Sequence, residues 1–100
     1  MTTLTRAQSE QAFQHLIRTV ARFDLDSNNN PHIAERALTT ISINNVLDLS
    51  GLDFPTIATL ETPEIQADGS QVNPVVMEKV MIGDYRRLQY LVFYIQKIGP

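Results

Sequence analysis

The chain has 100 residues, 43% of them apolar, with eight Lys and Arg against eleven Asp and Glu, and no cysteine. That length is enough for one domain, spanning 1–100, that buries a cooperative core without staples. The missing thiols exclude disulfides, thiolate zinc sites and a Cys nucleophile, and they fit a reducing, intracellular setting, cytoplasmic or nuclear.

The N-terminal MTTLTRAQSEQ has no apolar signal core, and the longest apolar run, Leu91 to Ile95, is far too short to span a bilayer. No Asn-x-Ser/Thr acceptor occurs, so neither secretion nor a membrane partner is expected. Thr5 is placed to cap a first helix over about 5–23, in which Ala12, Phe13, Leu16, Ile17, Val20 and Ala21 recur at helical spacing. Gln8, Gln11, His15, Arg18 and Arg22 form its expected outer face.

The segment DLDSNNNPHIAE ends that helix, because Asp, Ser and Asn side chains compete for the backbone and Pro31 disfavours helical geometry at Asn30. Counted from Asp24, the residues Asp24, Asp26, Asn28, Asn30, His32 and Glu35 fall at positions 1, 3, 5, 7, 9 and 12 of a calcium loop. Asn29 replaces the usual glycine, Pro31 lacks an N–H for pairing with a second loop, and no second loop exists. The expectation is therefore no metal, with Asn30 capping a second helix over about 31–41 and Pro31 in its first turn. That helix would bury Ile33, Ala34, Ala37, Leu38 and Ile41. In INNVLDLSGLDFPTIATLE, Asn44 or Asn45 caps a short helix over 45–50 and Asp53 caps another over 54–60, with Ser50-Gly51 between them.

Pro63 and Pro74 discourage helix beyond Glu61, and Asp68-Gly69 between short alternating runs predicts a small β-hairpin near 64–73. Few apolar side chains tie that hairpin down, so it is expected to be the most mobile internal segment. The closing YRRLQYLVFYIQKI predicts a central helix over about 82–98, with Leu88, Leu91, Val92, Ile95 and Ile98 on its core stripe. Gly99 and Pro100 would stop it. The fold class is thus mainly α, a bundle of four to five helices, two of them short, with one hairpin.

The other side of the last helix carries Arg86, Tyr90, Phe93 and Lys97 at i, i+4, i+7 and i+11, flanked by Arg87 and Tyr94. These six are the candidate interaction face. Either they meet a partner or the first helix and the 43–60 turns cover the rings. Charge is also unevenly placed: residues 1–23 and 74–100 each carry +2 and residues 24–73 carry −7. That pattern points to complementarity within the fold or across an oligomer.

In its AFQHLI, HIAERAL, ISINNVLDLSGLDFPTIATL, Asp68-Gly69, Pro74-Val75 and YRRLQYLVFYIQKIGP, the chain resembles the small N-terminal domain that precedes the Gag-like part of Copia-type retrotransposon polyproteins, with stand-alone relatives, in diatoms and other stramenopile algae. The resemblance covers nearly the whole chain. It departs at Ser42-Ile43, where a Gly-Ile pair is common. It implies a non-enzymatic element of a particle-forming polyprotein that continues after Pro100.

Catalytic machinery is not evident. His15 and His32 have no local serine–acid arrangement, and there is no glycine-rich phosphate loop. No enzyme activity, cofactor or small-molecule substrate is expected. The leading reading is a protein–protein interaction or self-assembly module, since aromatic and Arg residues concentrate interface energy. The alternative is a small nucleic-acid-binding domain, in which the same cations meet phosphates and the rings stack on bases.

Overall fold

Thr5 opens the first helix with a reciprocal cap. Its hydroxyl accepts the Gln8 N–H at 3.1 Å, and Gln8 Oε1 accepts the Thr5 N–H at 3.0 Å. The computed structural model describes residues 4–99, so the expected role of Pro100 lies outside the described residues. Helix α1 (Arg6–Thr19) stops four residues short of the expected 23. Arg22 takes φ 60° and the Phe23 N–H returns to the Ile17 carbonyl at 2.9 Å, which swings Phe23 into the core. The carbonyls this frees at Ala21 and Arg22 both accept from Arg87, whose guanidinium lies 4.3 Å above the Phe23 ring centre. The helix end is therefore set by a residue 65 positions away.

Helix α2 (Ile33–Thr40) is capped by His32, not Asn30: His32 Nδ1 accepts the Ala34 N–H at 3.1 Å. Asn30 is held back in the preceding loop, where Asp26 Oδ1 accepts the N–H groups of Asn28 and Asn30 at 2.8 and 2.9 Å. Asn29 takes the left-handed conformation there, at φ 62°. Glu35, the last position of the calcium spacing, is committed to Arg18 on α1. The helix closes with Ser42 at φ 65° and the Ile43 N–H on the Leu38 carbonyl at 2.8 Å, the stop that glycine favours. Ile41, expected in the core, is exposed at this turn.

Asn45 caps α3 (Val46–Ser50) through the Asp48 N–H at 2.9 Å, and Asp53 caps α4 (Phe54–Ala58) through the Thr56 N–H at 2.8 Å. Ser9 ties α1 to this region from a buried position. Its hydroxyl donates to Asn45 Oδ1 at 3.3 Å and accepts the Leu47 N–H at 3.2 Å.

The two-stranded antiparallel ribbon pairs β1 (Glu61–Pro63) with β2 (Met77–Lys79), Thr62 opposite Glu78. The expected turn is present: Gly69 takes φ 90° and donates to the Gln66 carbonyl at 2.9 Å. Regular pairing nevertheless lies outside 64–73, where only Ile65 bridges Gln71. Thr62 is buried beside Thr40, which anchors the stem to α2, whereas Pro74 offers no N–H to extend the ladder toward the tip. The tip is not free on every side, because a side chain at Gly69 would come within 3.1 Å of Asn30 Oδ1.

Helix α5 (Ile82–Lys97) packs against α2, α3 and α4. Leu88, Leu91, Val92 and Ile95 join Phe13, Leu16, Ile17, Phe23, Leu38, Leu49 and Ile57 in one core. Ile98 leaves the expected stripe and is exposed, because the helix ends at Lys97 and Gly99 turns away at φ 103°. No helix among the described residues is long and apolar enough to cross a membrane.

Candidate functional site

With one side of α5 sunk in the core, residues at i, i+4, i+8, i+11 and i+15 from Ile82 fall along a single outward ridge: Ile82, Arg86, Tyr90, Phe93 and Lys97. At about 1.5 Å per residue the ridge is about 22 Å long. Tyr90 is 57% exposed and Phe93 52%, so neither the first helix nor the 43–60 turns cover the rings. Among the described residues Arg86 and Lys97 have no acidic partner, since the ion pairs join Arg6 to Glu10, Arg18 to Glu35 and Arg87 to Asp84.

The two flanking members of the predicted face turn inward. Arg87 holds the Ala21 and Arg22 carbonyls, pairs with Asp84 at 3.3 Å and covers Phe23. Tyr94 is half-buried against the core. The fold brings Arg86, Tyr90, Phe93 and Lys97 together on one surface and assigns Arg87 and Tyr94 to structure.

Beside the ridge runs an open cleft of about 490 Å³, lined by Ser50, Leu52, Asp53, Phe54, Pro55 and Val92, with Gln96 at its edge. Gln96 spans it by donating to the Ser50 carbonyl at 2.8 Å. The far wall carries Phe54, 54% exposed, beside the exposed Asp53; α3, which runs into that wall at Ser50, adds the exposed Leu47 and Asp48, and together these make the α3–α4 shoulder. The density of apolar residues in 43–60 predicts that Leu47 and Phe54 wrap onto the helices, and both are instead exposed. Each is the first or second residue of a very short helix, and one such turn has room for few inward positions.

No group of three or more His, Asp or Glu among the described residues is placed to hold a metal ion. His15 is exposed, and His32 uses Nδ1 as the α2 cap while stacking on Phe23 at 4.7 Å. Comparison with protein-family models, with curated proteins and with solved structures finds no match to this chain.

His32 carries a pH dependence of its own. Burial pushes its pKa below the ordinary 6.5, with Arg87 and Arg36 acting the same way and Asp84 and Glu35 opposing. Because Nδ1 must accept the Ala34 N–H, the neutral ring carries its proton on Nε2, 3.8 Å from Asp84 Oδ2. The unfolded chain then binds the proton more readily than the folded one. The stability His32 contributes is complete above about pH 6.5 and is lost as pH falls through the lower folded-state value. Thermal melts should show this slope on the acid side of about pH 6.5. His32→Asn keeps a capping acceptor and should flatten it; a slope unchanged in that variant would place its origin elsewhere. Hydrogen bonds to Asp26, Asp53 and Asp68 hold their carboxyls below the ordinary 3.8, so their contribution is lost only in stronger acid than that.

Proposed function

We propose that the chain is a non-enzymatic protein-docking module whose contact surface is the α5 ridge. The observation that carries this is the exposure of Tyr90 and Phe93 between two cations that no carboxylate among the described residues neutralises. Large rings half in water, next to Arg and rimmed by charge, have the composition of interface centres. The resemblance to the domain preceding Gag-like proteins of Copia-type elements agrees with an assembly role, and an intracellular setting is consistent with the absence of cysteine. Nucleic-acid binding draws less support. A ridge with two cations on a chain of net charge −3 releases few counterions from a polyanion. Nothing in the described residues offers a paired nucleophile and base, since Ser9 is spent on Asn45 and His32 on Ala34.

The test is a benzophenone photocrosslinker in place of Phe93, irradiated in the expressing cell. A protein adduct is expected, and it should disappear when Arg86→Glu and Lys97→Glu are combined, with the melting temperature retained. Adducts confined to nucleic acid, or none at all, would reject the reading.

A further inference from the structure

We infer that the ridge is received by a second copy of this chain, on the acidic α3–α4 shoulder of that copy; this rests on the docking reading above. The starting point is charge that the fold leaves unspent. Residues 24–73 carry −7, yet of their carboxylates only Glu35 has a cation partner among the described residues. Asp48 and Asp53 cap or begin helices and remain exposed, as do Arg86 and Lys97 on the ridge. The complementarity written into the sequence is therefore not satisfied within one molecule.

Ridge against ridge does not satisfy it either. A two-fold pairing of α5 with its symmetry mate sets Arg86 opposite Lys97 when the helices run antiparallel, and each cation opposite itself when they run parallel. Like charges meet in both cases, with no acidic residue on the ridge to relieve them. The shoulder has the inverse chemistry. Leu47 and Phe54 supply apolar surface, and Asp48 and Asp53 supply the opposite charge.

Val92 and Gln96, the chain neighbours of Phe93 and Lys97, form one side of the cleft and Asp53 and Phe54 the other, joined by the Gln96 to Ser50 hydrogen bond, so ridge and shoulder flank it. A two-fold axis through that cleft sets the ridge of each copy over the shoulder of the other, so the contact is made twice and closes as a dimer. The cleft between Phe54 and Val92 is the apolar recess available to a ring from the opposite ridge.

The experiment is sedimentation velocity on the full chain across about 10 μM to 1 mM, at low and at high salt, a range that reports weak as well as tight pairing. A concentration-dependent dimer is expected, weaker at high salt. Two variants separate the halves of the contact. Asp48→Asn with Asp53→Asn removes the shoulder charges while retaining capping oxygens, and Arg86→Glu with Lys97→Glu reverses the ridge. Each should weaken self-association by about tenfold or more with an unchanged melt.

Mixed together, these two variants should form a heterodimer, because the intact ridge of the first meets the intact shoulder of the second. A wild-type chain that stays monomeric throughout overturns the inference. So does a dimer indifferent to the shoulder variant, or a mixture that fails to pair. If the Phe93 crosslinker captures a different protein while the purified chain stays monomeric, the docking reading stands and the second-copy inference alone fails. RNA binding that disappears in the ridge variant would remove both.

Discussion

Leu91→Ala is expected to destabilise the domain by about 2–5 kcal/mol, a large share of the roughly 5–15 kcal/mol available to a domain of this size. Leu91 is fully buried on the one helix that touches α2, α3 and α4, so truncation opens a cavity that several rigid neighbours cannot all collapse into. Urea denaturation should show a lower midpoint with an unchanged slope, because the surface exposed on unfolding hardly alters. Phe93→Ala, two positions along the same helix, is the internal contrast. Its ring is half in water, and its loss should cost well under about 1 kcal/mol. Equal losses at the two positions would mean that the core and outer faces of α5 are exchanged.

The features legible in the sequence are those decided within a few residues. Thr5, Asn45 and Asp53 cap their helices as their side-chain chemistry predicts, and the Asp68-Gly69 turn forms where glycine permits positive φ. The buried stripe of α5 follows from helical spacing alone. Misplaced features are those decided by partners distant in the chain. The end of α1 depends on Arg87 reaching back to Ala21 and Arg22, and the start of α2 on His32 stacking over Phe23 near Asp84. Both of these residues are polar and look like surface in a linear reading. The ribbon stem moved outward because Thr62 finds a buried seat against α2, a tertiary contact that alternation does not encode.

The same limit applies to the candidate surface. Periodicity groups Arg86, Tyr90, Phe93 and Lys97 on one face, but whether that face is covered depends on where α1 and α3 settle. In the structure α3 and α4 stop at the cleft, leaving the ridge bare. The shoulder was invisible for a different reason. Leu47 and Phe54 are apolar residues in helices of five residues each, too short for a period to assign a face.

Arg18→Met should be the most damaging change at a residue the sequence places on an outer face. The Arg18 side chain is 28% exposed, while that of its partner Glu35, at 8%, is almost fully enclosed between α1 and α2. A second hydrogen bond from Arg18 reaches the Phe23 carbonyl at 3.0 Å, in the turn that delivers Phe23 to the core. Methionine keeps the helix propensity and the apolar stem but leaves a buried carboxylate without its cation and a carbonyl without its donor. Removing one partner of a buried pair costs about 3–5 kcal/mol, and the partial exposure of Arg18 sets the expectation at the lower end. The cost arises from the stranded charge more than from the lost attraction, so it should be recoverable. Glu35→Leu introduced into the Arg18→Met background should restore most of the stability, since an enclosed apolar side chain needs no partner. A double variant no more stable than Arg18→Met would show that the arginine acts through the Phe23 turn and not through Glu35.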